Sequence, residues 1–281
     1  MLQNSALSEQ PFFFAANGYR VFAVMHYPKR DVPRGVFVFC HPFAEEKLWS
    51  HRVYVNFARE LARRGFAALR LDYMGHGDSD GQFFDSDVDS ELADIRAAIA
   101  YARAEFTGIE VCGLFGLRLG ASLAAVVADQ DPAINKLILW DPIIDGERYV
   151  SEMFRSNLAT QMAAYGKIVE PRELLIEKLM RGEGFNIDGY DMSKAMYEGL
   201  QKLTLANVAH RFSGDVLIVQ IGKPGQPIKR EMQALAESYA HPTTVTAVEE
   251  PFWREIRTFY SRAENLFSPS LEWLDKATAH V

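Results

Sequence analysis

The sequence predicts an α/β fold with a mostly parallel sheet and helices on both of its faces. Short apolar runs alternate with amphipathic helical stretches through most of the chain, which is the order of consecutive βαβ units. The first two predicted strands flank Asn17-Gly18, a strong tight-hairpin signal, so the sheet should begin with an antiparallel pair at one edge. The alternation breaks once, after the sixth predicted strand, which indicates an insertion.

Four further strands follow the hairpin before the break. They are short apolar runs bounded by turn residues, a pattern typical of strands buried on both faces. These runs cover residues 35–40, 67–73, 110–115 and 136–141. The stretches between them have helical periodicity; in "SHRVYVNFARELARRGF", for example, Val53, Phe57 and Leu61 recur at helical spacing and Gly65 ends the pattern.

From Gly146 to about Ala209 the pattern is mainly helical, with a turn-rich "EGFNIDGYD" near its middle. Strands resume at 215–222 and 243–250, each followed by a helical pattern. We therefore divide the chain into a first core part (1–145), a helical cap (146–208) and a second core part (209–281). We expect the cap to cover the carboxyl ends of the strands, where ligands bind in open α/β sheets.

Composition excludes several classes of protein. The net charge of −7 disfavours nucleic acid as a partner, because phosphate binding needs clustered Lys and Arg. No apolar run approaches the length of a membrane span, and no signal peptide is apparent, so we expect a cytoplasmic protein. Cys40 and Cys112 lie in apolar runs and are expected to be buried thiols. We expect no metal or cofactor, and a homodimer is left open.

Four stretches follow predicted strands and contain the residues that could take part in catalysis or ligand binding. They are "CHPFAEE" (40–46), "LDYMGHGDSDG" (71–81), "GLRLG" (116–120) and "WDPIIDG" (140–146). In this order they resemble the α/β-hydrolases. With "GLRLGA" and the "PFW" at 251–253, the set is similar to the exosortase A system-associated hydrolase type 2 family, relatives of the S33 serine aminopeptidases and lysophospholipases. The resemblance spans essentially the whole chain and implies an eight-stranded sheet with a cap after the sixth strand.

The resemblance also implies where a catalytic triad would lie, and this sequence departs from it at all three positions. Active relatives place serine in the middle of a G-x-S-x-G turn, where this chain has Arg118, and a guanidinium is no nucleophile. The acid position after the seventh strand falls in Gly222–Gln226, which holds no carboxylate. The histidine position after the eighth strand falls in Glu249–Trp253, which holds no histidine. Serine hydrolysis is therefore not expected.

Arg118, His41 and Asp141 are the candidate catalytic residues that remain. His41 ends the third predicted strand at the edge where the Arg118 turn lies, although it could instead hydrogen-bond the neighbouring loop. Asp141 ends the sixth strand. His210 and His241 precede strands seven and eight, which places them at the opposite edge.

The candidate ligand-binding residues surround the Arg118 turn. In an active relative the N–H groups of Leu119 and of the loop near Phe43 would form an oxyanion hole, and Arg118 would make this an anion site. Alternatively, Glu45 or Glu46 neutralises Arg118 and plugs the site, with Asp141 as the second choice. The full ligand-binding set is Leu119, Phe43, Glu45, Glu46, Asp145 and Trp253.

The first cap helix should contribute the other wall of such a site. Some of Tyr149, Met153, Phe154 and Met162 are expected to line an apolar pocket, or else only to hold the cap to the core. Three functions follow from these observations. The chain could bind a small or lipid-like anionic or acyl ligand between cap and core, or hydrolyse an ester, thioester or acyl group with water activated by His41 and carboxylates. It could also be a scaffold or partner protein whose pocket is filled.

Overall fold

The computed structural model describes residues 8–206, 210–254 and 260–279. The strands are β1 (Ser8–Ala16), β2 (Tyr19–Tyr27), β3 (Gly35–Cys40), β4 (Ala67–Leu71), β5 (Val111–Leu117), β6 (Lys136–Trp140), β7 (Phe185–Ile187), β8 (Tyr190–Met192), β9 (Asp215–Gly222) and β10 (His241–Val248). The helices are α1 (Glu45–Arg63), α2 (Val88–Glu105), α3 (Leu119–Ala128), α4 (Gly146–Tyr165), α5 (Arg172–Met180), α6 (Lys194–Lys202), α7 (Arg230–Glu237) and α8 (Glu264–Ala277).

Eight strands form one sheet in the order β1-β2-β4-β3-β5-β6-β9-β10. β1 and β2 pair antiparallel, as do β2 and β4, and the other neighbours pair parallel. The hairpin between β1 and β2 turns at Asn17 and Gly18, both with positive φ. The predicted fold class, including the antiparallel edge, is confirmed.

The two faces of the sheet are covered by separate apolar cores. In β3, Val36 and Val38 belong to the core shared with α2 and α3, whereas Phe37 and Phe39 belong to the core shared with α1 and α8. Alternate side chains of a strand point to opposite faces, so a strand that is apolar throughout needs cover on both sides. Cys40 and Cys112 are free, buried thiols, as predicted.

Trp140 lies at the centre of the second core. Its side chain is fully buried against Phe57, Phe115 and Phe267, and its indole N–H donates a hydrogen bond to Ser270 at 2.9 Å. The bond satisfies the one polar group of a large buried side chain. No helix in the described part of the chain is long and apolar enough to cross a membrane.

Residues 146–202 lie between β6 and β9 and add no strand to the eight-stranded sheet; they are called the inserted segment. It contains α4, α5, α6 and an antiparallel pair, β7–β8, in the stretch that the sequence predicted only as turn-rich. Phe154 of α4 stacks on Phe185 of β7 with ring centroids 4.8 Å apart, and this aromatic contact stabilises the β7–β8 strand pair. The predicted boundary at 208–209 lies outside the described residues.

Helix α1 begins earlier than predicted. Glu45 and Glu46 lie in its first turn, not on a loop, and Ala44 precedes the helix with φ 48° and ψ −125°. Two acidic residues are favourable there because the N-terminus of a helix carries partial positive charge. The helix start therefore holds both glutamates at the carboxyl edge of the sheet, directly after β3.

Candidate functional site

Arg118 lies in the sharp turn that joins β5 to α3. Its backbone has φ 54° and ψ −123°, and its N–H donates to the carbonyl of Trp140 at 2.9 Å. The turn requires both flanking glycines: a Cβ on Gly120 would lie 2.1 Å from the carbonyl oxygen of Cys40, and one on Gly116 would lie 2.4 Å from the backbone of Gly120. This close packing fixes the direction in which the Arg118 side chain leaves the turn.

The guanidinium of Arg118 meets three carboxylates. Its Nε donates to Oε1 of Glu46 at 3.2 Å and its Nη1 to Oδ2 of Asp141 at 3.4 Å, while Nη2 lies 3.7 Å from Oε2 of Glu152. Arg118 is only 8% exposed. The expected pairing with one of the two glutamates is confirmed for Glu46, and the second choice, Asp141, is a partner as well. Glu152 is a third partner that the sequence did not indicate.

Two aromatic rings flank the same guanidinium. Its central carbon lies 5.4 Å from the ring centroid of Tyr149 and 5.4 Å from that of Trp253, distances at which a cation is attracted to a π face. The Tyr149 hydroxyl also donates to Oε2 of Glu46 at 3.0 Å. Arg118 therefore joins the core, the inserted segment and the loop after β10.

The electrostatics of this cluster favour a charged arginine. Burial lowers the pKa of Arg118, but the negative charge of Glu46, supported by Asp141 and Glu152, outweighs burial and raises it. The pKa of Glu46 is also raised, because the cost of burying its charge exceeds the stabilisation from Arg118 and Tyr149. One guanidinium thus faces more carboxylate than it can neutralise, which makes the immediate surroundings of Arg118 unfavourable for an added anion.

A cavity of about 790 Å³ opens beside Arg118. It brings together many of the predicted residues: Phe43, Glu45, Glu46, Arg118, Tyr149, Met153 and Trp253 all line it. The expected pocket is thus present, but its wall mixes charged and apolar side chains and is not apolar as predicted. Phe154 is buried in packing within the inserted segment, and Met162 is 49% exposed.

Asp141 and Asp145 lie on the other side of the arginine. They line a smaller cavity of about 70 Å³, whose wall shares Arg118, Tyr149 and Glu152 with the larger one. Asp145 also accepts a hydrogen bond from the N–H of Arg148 at 2.9 Å and so caps α4. The Arg118 side chain therefore lies between the two spaces.

His41 and Leu119 are not among the described residues that line either cavity. His41 is 2% exposed, and its ring stacks on that of Tyr54 with centroids 4.9 Å apart. Burial, followed by the nearby Lys47 and Arg70, holds the pKa of His41 well below its usual range. The structure thus places this histidine as a neutral, buried ring beside the cavity wall and not in the pocket.

A second buried polar cluster joins the turn that follows β4 to helix α2. Nε2 of His76 lies 3.7 Å from Oε1 of Glu91, and both residues are buried. Burial, with added repulsion from Asp94, raises the pKa of Glu91 to about 8, and burial lowers that of His76 to about 4. Both groups are therefore mainly neutral near pH 7.

Several cavity residues were missed by sequence reasoning. Trp49, Glu152, Arg155, Ile187 and Arg254 line the larger cavity. Helical spacing could have found Glu152, since it lies three residues after Tyr149 on α4 and hence on the same face. Ile187 comes from the β7–β8 pair, in a stretch that was predicted only as turn-rich. No group of three or more His, Cys, Asp or Glu within the described ranges could hold a metal ion.

The fold is that of the α/β-hydrolases. Solved structures with the same fold include Est1E from Butyrivibrio proteoclasticus with bound ferulic acid (TM-score 0.67, 19% identity, 95% of this chain and 99% of that one). Another is the α/β hydrolase GrgF from Penicillium sp. sh18 (TM-score 0.67, 16% identity, 97% and 100%). Residues 31–198 match the model of the serine aminopeptidase S33 family, and the chain belongs to that family.

Curated sequence relatives match over only about half of the chain. A protein of Escherichia coli described as "Uncharacterized 31.7 kDa protein in traX-finO intergenic region" is 26% identical over 148 residues, which cover 52% of this chain and 51% of the relative. The quorum-quenching protein AidA of Acinetobacter baumannii is 28% identical over 149 residues, covering 52% and 47%. The chain spans about half the length of the curated relatives it matches.

Proposed function

We propose that this chain is a ligand-binding member of the hydrolase family in which Arg118 stands where active relatives carry their nucleophilic serine. The observation that carries the proposal is the Arg118 turn: the side chain leaves a strand-to-helix turn held by two glycines and is locked by Glu46. The guanidinium cannot attack a carbonyl, and its nitrogens face carboxylates of the chain itself.

The other two triad positions support the same conclusion. The residues after β9, Lys223–Gln226, contain no carboxylate. Those after β10, as far as Arg254, contain no histidine, and Glu249 there accepts a hydrogen bond from the N–H of Asn265 at 2.9 Å. A triad acts as a unit, so a site without its nucleophile and base loses the chemistry of acyl transfer.

The inserted segment serves as a cap in this proposal, and the ligand lies between it and the core. A volume of about 790 Å³ is in the range of small-molecule sites, which supports binding more than a scaffold with a filled pocket. The bound ferulic acid in the similarly folded Est1E is consistent with an organic ligand in a protein of this architecture. A hydrolase that activates water with His41 has less support, because His41 does not line the cavity in the described structure.

Chemical labelling tests the first half of the proposal. We expect no covalent adduct by intact mass after treatment with a fluorophosphonate probe, and no turnover of p-nitrophenyl acetate or octanoate above buffer. Stoichiometric labelling of a serine would show that serine chemistry is intact. Turnover without labelling would instead favour activated water.

Cavity filling tests the second half. N-phenyl-1-naphthylamine, a neutral apolar dye, should bind the protein, and Met153→Trp should abolish binding because the indole fills the cavity. Met180→Trp is the matched control, since Met180 is 42% exposed on α5 and does not line the cavity. Equal dye binding by both variants would place the dye elsewhere and remove support for the cavity as the ligand site.

A further inference from the structure

β10 is an open edge of the sheet. It ends the strand order, and within the described residues only β9 pairs with it, in parallel. A strand in this position keeps one row of N–H and C=O groups that no neighbouring strand satisfies. Native proteins often protect such a row with charged residues or proline, and β1 at the opposite edge carries both, Glu9 and Pro11. In β10 the stretch 243–248 carries neither.

Two residues of β10 show which backbone groups face outward. Pro242 has no N–H, and proline is tolerated in a strand where that group would point away from the ladder. The carbonyl of Val248 accepts a hydrogen bond at 2.8 Å from the side chain of Asn265 on α8, which is not part of the sheet. Successive residues of a strand alternate in the side to which their backbone groups point. Both observations therefore assign the even-numbered residues, Thr244 and Thr246 among them, to the outer edge.

An antiparallel copy of the same strand fits this edge. Directly opposed residues of an antiparallel pair lie on the same face of the sheet, so a two-fold pairing that continues the sheet places one residue opposite itself. With Val245 at the axis, Thr244 lies opposite Thr246 of the second copy, and Thr246 opposite its Thr244. Since these residues point outward, each such pair exchanges both of its backbone hydrogen bonds.

The ends of the strand match in the same register. Pro242 lies opposite Val248 of the second copy. The bond that proline cannot donate would go to the Val248 carbonyl, which Asn265 already binds. His241, exposed at the start of the strand, lies opposite Glu249 just past the end of the other strand, so an imidazole meets a carboxylate at both ends. An axis at either neighbouring residue would lose this contact.

The pairing also continues an apolar core. Ala247 belongs to the core shared with α1 and α8, and Val245, on the same face, packs against that core and is half-buried. Val245 of the second copy would cover the part that is still exposed. On the other face Thr244 and Thr246 would pair across the interface, and cross-strand threonine pairs are favourable.

We propose that two copies of this chain pair antiparallel through β10, about a two-fold axis at Val245, and so join their two sheets into one. The interface uses the same surface of both copies. Residues 241–249 are not among the described residues that line either cavity. The inference is therefore independent of the proposed function.

Charged pairs across the interface test the register. Sedimentation equilibrium should show the parent as a dimer at about 50 µM chain. Thr244→Lys with Thr246→Lys sets like charges opposite each other in both cross-strand pairs and should raise the dimer Kd by about tenfold or more. Thr244→Lys with Thr246→Glu sets opposite charges there and should dimerise as the parent does. The two variants change the same positions, and circular dichroism with thermal denaturation checks that both are folded.

Disulfide trapping locates the axis. Val245→Cys sets two thiols opposite each other at a pair that shares no backbone hydrogen bonds, where side chains of opposed residues are close. Val248→Cys, at a more exposed position of the same strand, sets them far apart. Mild oxidation should cross-link the first variant and not the second. The native thiols, Cys40 and Cys112, are buried and give no background.

Each result either supports or contradicts the interface. A monomeric parent overturns the inference, and so does a dimer that both lysines leave intact, because its interface then lies elsewhere. Dissociation by the two lysines without recovery by the lysine–glutamate variant overturns the register, as does cross-linking at position 248 in preference to 245. None of these results bears on ligand binding in the cavity.

Discussion

Glu46 accepts two hydrogen bonds from different parts of the molecule: the Nε of Arg118 binds one carboxylate oxygen at 3.2 Å and the hydroxyl of Tyr149 binds the other at 3.0 Å. The carboxylate thereby links the first turn of α1 to the turn after β5 and to α4 of the inserted segment. Because both of its oxygens are hydrogen-bonded within the chain, the Glu46 carboxylate is held in place, and it in turn holds the side chains of Arg118 and Tyr149.

The order of stability losses at this cluster follows from the number of carboxylates. If Arg118 and Glu46 formed an isolated buried ion pair, replacing the glutamate would lower the free energy of unfolding more than replacing the arginine. Here Arg118→Met strands Glu46 and Asp141 together and should lower the free energy of unfolding by about 3–5 kcal/mol. Glu46→Gln leaves Arg118 with Asp141 and Glu152 and should cost only about 1–2 kcal/mol. Urea midpoints of both variants give the order.

The control for this pair is an exposed arginine. Arg20 meets Asp80 at 2.8 Å on the surface, and Arg20→Met should leave the urea midpoint almost unchanged, because solvent screens exposed ion pairs. If Arg118→Met were as mild as Arg20→Met, the buried cluster would not contribute to stability, contrary to the geometry described above.

Restoring a serine should not restore hydrolysis. Arg118→Ser supplies a hydroxyl in the turn, but no histidine follows β10 within the described residues to take its proton. We expect turnover of p-nitrophenyl acetate to equal that of Arg118→Ala, since triad members act together. Turnover by the serine variant well above the alanine variant would mean that a base reaches this turn from elsewhere.

The buried Glu91 should make stability depend on pH. Its folded pKa of about 8 lies above the usual 4.5, so the folded state keeps a proton that the unfolded state releases, and stability falls as pH rises towards 8. His76, with a pKa lowered to about 4, opposes this trend only below pH 6.5. Between pH 6.5 and 8 the free energy of unfolding should fall by about 2 kcal/mol.

Glu91→Gln should remove most of that decline, because glutamine has no proton to lose. Glu110→Gln, at an exposed position, should keep it. Urea unfolding of the two variants and the parent at pH 6.5 and 8 makes the comparison. A Glu91 variant that declines as steeply as the parent would assign the pH dependence to another group.

The glycine after the Arg118 turn should resist substitution. Gly120→Ala places a methyl group 2.1 Å from the carbonyl oxygen of Cys40, a backbone atom that cannot move aside without disturbing β3. We expect a loss of about 3 kcal/mol or more, or failure to fold. Gly199→Ala in α6 is the matched control, since its methyl meets side-chain carbons of Val88 at 3.0 Å and the nearest backbone atom, the N of Val88, lies at 3.7 Å. Thermal denaturation of both variants tests the difference.

The sheet was predictable because its signals are local. Apolar runs such as 35–40 mark strands buried on both faces, and Asn17-Gly18 marks the hairpin, so each element could be assigned from its own residues. The β7–β8 pair was missed because its strands have only three residues each and form through contacts such as Phe154 with Phe185. Propensity is weak over so short a span.

The site was predictable where the fold alone sets a position. Arg118 and Glu46 both follow adjacent strands at the same edge, so their proximity follows from the topology. The direction of the His41 side chain could not be predicted from the sequence. Its ring packs on Tyr54, and nothing in the order of residues distinguishes that direction from the pocket. Likewise, Arg254 reaches the cavity only because the loop after β10 brings it there.

The distribution of tryptophans gives this molecule two separate optical signals. Trp140 and Trp273 are buried in the same apolar core and should emit at short wavelength until the sheet unfolds, whereas Trp49 and Trp253 line the large cavity. Trp253 also lies beside the Arg118 guanidinium, a charge that shifts indole emission. Occupation of the cavity should therefore change the emission of Trp49 and Trp253 while leaving that of Trp140 and Trp273 as it was. The unlabelled chain thus reports on cavity filling and on unfolding through different indoles.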